Sequence, residues 1–189
     1  MKKLLSLFLL FSLALQAQET SPLDHKKNEF RVDLLSALVW QKASLSYERF
    51  FGGNFSTGFN VNFSDSNQLN DDFDRGYRNN VPKFEFNPYV RYQLSKGKKS
   101  FYFAEVFGSY NSGDFKEIVR MTDDNGNGYY TTEKSKYSDF GLGGGLGYKM
   151  YIKEAFVLEF LAGFGSNLTN RDQSPDVISR VGFNLGYRF

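Results

Sequence analysis

Few residues in this chain could carry reaction chemistry. It has one histidine, His25, and no cysteine. Acyl-transfer hydrolysis needs a base beside its nucleophile, typically His with Ser and an acid. His25 stands in a polar stretch ahead of every patterned segment, so it reads as a solvated residue. Asp71, Asp72 and Asp74 could in principle act as acid/base groups, but clustered Asp in a polar loop reads first as solvation. Gly143–Gly145 lies inside an alternating segment with no helix after it, so it is no phosphate loop. The chain is not expected to be an enzyme, and no cofactor is expected.

One segment has the spacing of a cation loop. Asp123, Asn125, Asn127 and Gly128 match the first half of a calcium loop, in which alternate oxygens wrap a hard cation. The bidentate acid due at its twelfth position is missing: Lys134 stands there, and Glu133 is one place early. Asn-Gly pairs are also ordinary turn formers. These residues are a weak calcium candidate, and no metal is expected.

The larger group of titratable side chains lies within patterned segments, so the elements that carry them come next. The chain has 189 residues and a formal charge of +2, with 21 Phe and 12 Tyr. Residues 1–17 read as a secretory signal: Lys2 and Lys3 form its basic start, Leu4 to Leu15 its apolar run, and Ala17 its last residue. Removing it takes two lysines and leaves 21 bases against 21 acids. That balance offers no electrostatic footprint for nucleic acid. The remainder holds no apolar run long enough for a transmembrane helix. Residues 18–28 read as a polar periplasmic leader, and 29–189 as one domain.

Within 29–189 the period is two, which predicts strands. Eight are expected, at about 29–39, 42–51, 54–64, 83–95, 100–111, 136–149, 154–166 and 176–189. In the third, Phe55, Thr57, Phe59, Val61 and Phe63 share one face, and polar or glycine residues the other. In the eighth, Val181, Phe183, Leu185, Tyr187 and Phe189 lie opposite Arg180, Gly182, Asn184, Gly186 and Arg188. A soluble sandwich also alternates. The signal, the strand length and the loop parity favour a membrane barrel instead. Connections two, four and six are tight, whereas three, five and seven (about 65–82, 112–135 and 167–175) are long and polar. The first, near Trp40 and Gln41, is the tight exception. Short turns on one rim and long loops on the other mark a transmembrane barrel. Closure is required because lipid cannot satisfy an open strand edge.

The expected fold is all-β: an eight-stranded antiparallel up-and-down transmembrane β-barrel in the outer membrane of a Gram-negative bacterium. Tyr47, Tyr92, Tyr110, Tyr148, Tyr187 and Trp40 fall near strand ends and suit aromatic girdles. The register turns Arg31, Asp33, Glu48, Glu85, Arg91, Glu105, Asp139, Lys149, Glu159, Arg180 and Arg188 inward. Eight strands leave little lumen once side chains fill it, so this near balance predicts an interior charge network that plugs the barrel. Facing Glu105 inward also turns Phe103 and Phe107 inward. Gly141, Gly143, Gly145 and Gly147 on the inner face of strand six either line a narrow water path or make room for neighbouring side chains.

Asn28, the Leu34-Leu35-Ser36 step and Leu45-Ser46-Tyr47-Glu48-Arg49 carry a resemblance. The stretch Arg31 to Arg49 resembles the opening hairpin of an uncharacterised Bacteroidota family of small outer-membrane barrels, related in general shape to OmpA-like and OmpW-like barrels. The terminal Phe189, with alternating aromatics behind it, resembles the signal read by the barrel assembly machinery during insertion. The resemblance implies a barrel and its location, and no activity. The expected partners are outer-membrane lipid, that machinery and an envelope protein. The expected role is structural or interactive, as an accessory subunit of an envelope complex. A narrow channel for water, ions or small hydrophobic solutes is the alternative.

Overall fold

The computed structural model describes residues 22–189 apart from 96, 98 and 125, with the side chains of Pro22 and Asp24 also left aside. The signal expected at 1–17 and the first leader residues lie outside that range. Eight antiparallel strands close in sequence order: β1 Asn28–Asp33, β2 Lys42–Phe50, β3 Phe55–Ser64, β4 Asn80–Gln93, β5 Ser100–Thr122, β6 Gly128–Ile152, β7 Phe156–Asn167 and β8 Val177–Arg188. The seam pairs Glu29 with Arg188 and Asp33 with Asn184. Both described ends of the chain and three tight turns share one rim, the periplasmic side in barrels of this type. Phe189 closes the seam further, exchanging backbone hydrogen bonds with Asn28 at 2.8 and 2.9 Å.

Three expectations about the elements are corrected. The first strand stops at Asp33 and does not run to residue 39. Asp33 caps a short helix, α1 (Leu34–Val39), its Oδ1 accepting from the backbone N–H of Leu35 and Ser36. A capping carboxylate offers the backbone a competing hydrogen-bond pattern. The segment 65–82 is not a bare loop, since it contains α2 (Asn67–Asp74) behind the cap residue Ser66, and β4 begins at Asn80. The segment 112–135 is mostly strand: β5 and β6 stay paired from Ser112↔Ser138 out to Thr122↔Gly128. Charged residues on both faces of this ribbon hide its period of two.

The outer surface inverts the usual rule of burial. Phe30, Phe59, Phe63, Phe140, Phe156, Phe160 and Phe164 are all exposed. Ring pairs run round the barrel, among them Phe30–Tyr47 at 5.2 Å, Phe55–Tyr92 at 4.9 Å, Tyr110–Phe140 at 5.1 Å, Tyr102–Tyr148 at 4.9 Å and Phe156–Tyr187 at 5.5 Å. An apolar surface this continuous is stable only against lipid, so the barrel spans a bilayer. The five expected girdle tyrosines belong to this belt. Trp40 does not: it follows α1 and lines a cavity at the opposite mouth.

Inside, the periplasmic half is packed. Leu23, Phe101, Phe103, Tyr151, Val157 and Leu161 form one apolar cluster. Leu23 comes from the polar leader, while His25 is exposed as expected. Arg188 holds the leader there, donating from Nε to Lys26 O at 2.7 Å and from Nη2 to Leu23 O at 3.1 Å. Phe103 and Phe107 do point inward. They lie opposite Gly147 and Gly143, so at these two positions the glycine stripe makes room for phenylalanine rings, while Gly186 of β8 makes room for Arg31, whose Cγ a Cβ there would meet at 2.5 Å. A Cβ on Gly147 would overlap Phe103 Cζ, and one on Gly143 would overlap Phe107 Cζ.

This close approach makes a prediction. Gly147→Ala should destabilise the barrel by about 1–3 kcal/mol, because Phe103 has no room to retreat. Gly108→Ala, whose nearest neighbour would be Pro88 Cγ at 3.7 Å, should be neutral or slightly stabilising. Urea unfolding in detergent or lipid checks both.

Candidate functional site

The inward charges meet in one lattice. Glu48 Oε2 accepts from Arg31 Nη1 at 2.5 Å, Arg91 Nη1 at 2.7 Å and Lys149 Nζ at 2.9 Å, and its Oε1 accepts from Ser56 Oγ at 2.5 Å. Arg91 also holds Glu159 through two nitrogens at 2.7 and 3.1 Å, and Glu105 through Nε at 2.7 Å. Glu105 is shared with Arg180. Lys149 Nζ reaches Glu29 at 2.7 Å and Glu159 at 3.2 Å. Arg31 adds Glu29, and donates to Tyr89 Oη at 2.6 Å. Four carboxylates thus face four cations, and every one of the eight residues is buried.

The local sequence explains the meeting. Each of these side chains sits at an inward position of a period-two strand, at the third or fourth residue from the periplasmic end in β2, β4, β6 and β7. The lattice therefore forms one layer across the barrel. Two rings enclose the guanidinium of Arg91, with its carbon 4.4 Å from the Tyr89 centroid and 4.3 Å from that of Phe103. Such contacts offset part of the desolvation that charged bonds alone must overcome.

Seven of the eleven expected inward residues belong to this layer: Arg31, Glu48, Arg91, Glu105, Lys149, Glu159 and Arg180. Four lie elsewhere. Asp33 caps α1. Glu85 pairs with Lys42 at 3.1 Å and accepts from Asn62 at 2.6 Å, nearer the outer mouth. Asp139 anchors the loop after β7, accepting from Ser174 Oγ at 2.6 Å and from the N–H of Asn170 at 2.9 Å. Arg188 fastens the leader and donates to Tyr151 Oη at 2.9 Å. Glu29 was missed, although it shares its face with Arg31 and Asp33 and the period of two already pointed it inward. Lys42 was missed in the same way, on the face of Ser44, Ser46 and Glu48.

Two metal-like groupings are accounted for without a metal. Oxygens of Glu29, Glu48 and Glu159 lie within 4.8 Å of one another. Arg31 and Lys149 touch all three and Arg91 touches two, so a cation would have to displace cations. In the calcium candidate, Asn125 lies outside the described residues. Asp123 accepts from the backbone N–H of Asn127 at 2.7 Å, the bond of an ordinary turn.

The lattice divides the lumen. On its outer side is a cavity of about 330 Å³, lined by Trp40, Lys42, Asn60, Glu85, Asn111 and Arg180 among others. On its periplasmic side is a gap of about 10 Å³ beside Phe50, Phe101 and Phe103. Above the outer mouth the β5–β6 ribbon docks on α2. Lys116 donates to the carbonyl of Phe73, and its Nζ lies 4.7 Å from that ring's centroid. Lys134 donates to Asp74 Oδ1 at 2.9 Å, and this bond holds the Asp74 carboxyl below its ordinary range.

A closed eight-stranded barrel with a charged, filled interior belongs to the outer-membrane barrel fold. Its backbone is similar to the N-terminal β-barrel domain of Pseudomonas aeruginosa OprF, with TM-score 0.56 and 11% identity over 87% of this chain and 98% of that one. The attachment invasion locus protein Ail of Yersinia pestis aligns over 87% of this chain and 94% of its own, with 12% identity and TM-score 0.43. No family profile and no curated protein sequence matches the chain. The OmpA-like expectation therefore holds for the fold, and the Bacteroidota family assignment finds no support. The outer membrane of a Gram-negative cell is the compartment this fold occupies.

The lattice makes a stability prediction. Glu48→Ala leaves Arg31, Arg91 and Lys149 short of one shared partner and should cost about 3–5 kcal/mol. Lys134→Ala breaks a pair whose side chains are more than half exposed and should cost under about 1 kcal/mol. Urea midpoints of the two variants against wild type make the comparison.

Proposed function

We propose that this chain is a non-enzymatic outer-membrane barrel with a structural or interaction role, acting as an accessory subunit of an envelope complex. The observation that carries this reading is the charge layer. It crosses the barrel interior, and its four carboxylates, Glu29, Glu48, Glu105 and Glu159, are each bound to cations. A barrel stoppered in this way is a platform for what stands on its rim.

The rim offers such a surface. β5 loses its β4 partner after Asn80↔Phe115, and β6 gains its β7 partner only at Gly141↔Asn167. Among the described residues, no strand pairs with the outer edges of the ribbon at 117–122 and 128–138. Free edges are templates for an added strand. Ile118, Tyr129 and Tyr130 are exposed beside them, and the lysine contacts to α2 hold the ribbon in place. Phe189, at the barrel's closing strand, fits the assembly machinery as the partner during insertion.

Single-channel recording in planar bilayers tests the reading. Wild type should give no conductance steps, and Arg91→Ala, which removes the residue bonded to three carboxylates, should give openings. Reproducible wild-type steps would overturn the proposal and make a narrow channel for water, ions or small hydrophobic solutes the leading function.

A further inference from the structure

The two rims of the barrel differ in charge. Residues 22–28, 49–55, 94–99 and 152–155 make up the rim that carries the tight turns. Among their described residues are five Lys or Arg against two acids. The opposite rim, residues 65–83, 112–138 and 168–176, contains eight bases against eleven acids. Charge is therefore segregated along the barrel axis.

On the turn-bearing rim the cations are available. Lys27, Arg49, Lys99 and Lys153 are exposed, and among the described residues none of the four has an ion-pair partner. The neighbouring Glu154 offers its backbone carbonyl to Lys26 Nζ at 2.8 Å. The opposite rim behaves differently, with Lys134 held by Asp74 and Lys83 near Asp65 at 3.8 Å.

Depth identifies the partner. Along β2, Ser44, Ser46 and Glu48 are buried in the lumen, while Leu45 is exposed to the outside and Arg49 shares its parity. Arg49 thus emerges from the lipid-facing side, two residues beyond Tyr47 of the aromatic belt. Lys26 Nζ lies 6.0 Å from the ring centroid of Tyr187, another belt residue. Cations on the lipid face, just beyond a ring belt, stand at headgroup depth. A soluble periplasmic partner would have no use for a cation that points along the membrane plane.

We propose that this basic rim is a binding surface for anionic phospholipid headgroups of the inner leaflet of the membrane the barrel spans. Arg49 and Lys26, which stand beside the ring belt, lead this surface, and cations within a Debye length of anionic headgroups keep their attraction at physiological salt. The inference rests on the membrane-spanning belt and is independent of whether the lumen conducts.

The test uses the mature chain, refolded in bilayers of phosphatidylcholine with spin-labelled phosphatidylglycerol or spin-labelled phosphatidylcholine as probe. The fraction of each label held at the protein surface gives a selectivity ratio. Wild type should prefer the anionic label by about twofold to fivefold. The variant Lys27→Gln, Arg49→Gln, Lys99→Gln, Lys153→Asn should bring the ratio to about one, as should molar salt. Asn is chosen at 153 because that residue has φ 50°, which Asn tolerates. Heat-modified gel mobility reports that the variant is folded, and Asp71→Asn with Asp72→Asn on the other rim should leave the ratio unchanged. A wild-type ratio of one overturns the proposal, as does a preference that the folded variant retains. Binding to purified cell-wall sacculi that the variant loses, without any lipid preference, would also overturn it and assign the rim to an acidic wall polymer.

Discussion

The structure depends on how Arg91 is neutralised. Its guanidinium binds Glu48, Glu105 and Glu159, and each of those carboxylates is bound to another cation. Followed outward, these bonds touch the whole barrel. Glu29 and Arg31 come from β1, Glu48 from β2, Arg91 from β4, Glu105 from β5, Lys149 from β6, Glu159 from β7 and Arg180 from β8, while β3 contributes Ser56. A slip of one residue in any charged strand would turn its charge toward lipid and leave its partners unpaired. Backbone pairing alone does not choose among registers. The lattice does, because only one register lets all eight charges meet.

Volume then decides where the lattice can stand. Phe103 and Phe107 enter the lumen opposite glycines, so large rings fit within a narrow barrel without pushing the strands apart. Together with Leu23, Tyr151 and Val157 they exclude water from the periplasmic half, and there the ion pairs are strongest. The outer half is built differently. Asn60, Asn111, Asn167 and Ser109 line it, and it keeps most of the free space. The barrel is dense and dry at one end and polar and hollow at the other, and the charged layer is the boundary between them.

Much of this was legible in the sequence because a period of two leaves only two choices for each side chain. Seven layer residues, the inward phenylalanines and the outward tyrosines followed from phase alone. The failures share a cause: each lies where another interaction competes with the strand pattern. Asp33 turns β1 into α1 because its carboxylate caps the next turn. The ribbon was read as a loop because charges such as Lys116, Glu117 and Glu133 interrupt an alternation that needs no buried face outside the membrane. Leu23 stands as an isolated apolar residue in a polar leader, and its burial depends on a mouth formed by residues as distant in sequence as Phe101, Tyr151 and Leu161. Glu29 is the exception to that cause, since its parity with Arg31 and Asp33 already points it inward.

The contact between Arg188 and the leader has a consequence for assembly order. Arg188 ends β8, and it grips carbonyls at positions 23 and 26, ahead of β1. No chain that stops short of β8 can make this contact, and neither can a sheet that has not yet curled round to join its first strand with its last. Contacts between such distant positions carry the largest loop-closure cost and form late. The docked leader is therefore a latch that engages after the seam has shut, and its engagement distinguishes a finished barrel from an open precursor sheet.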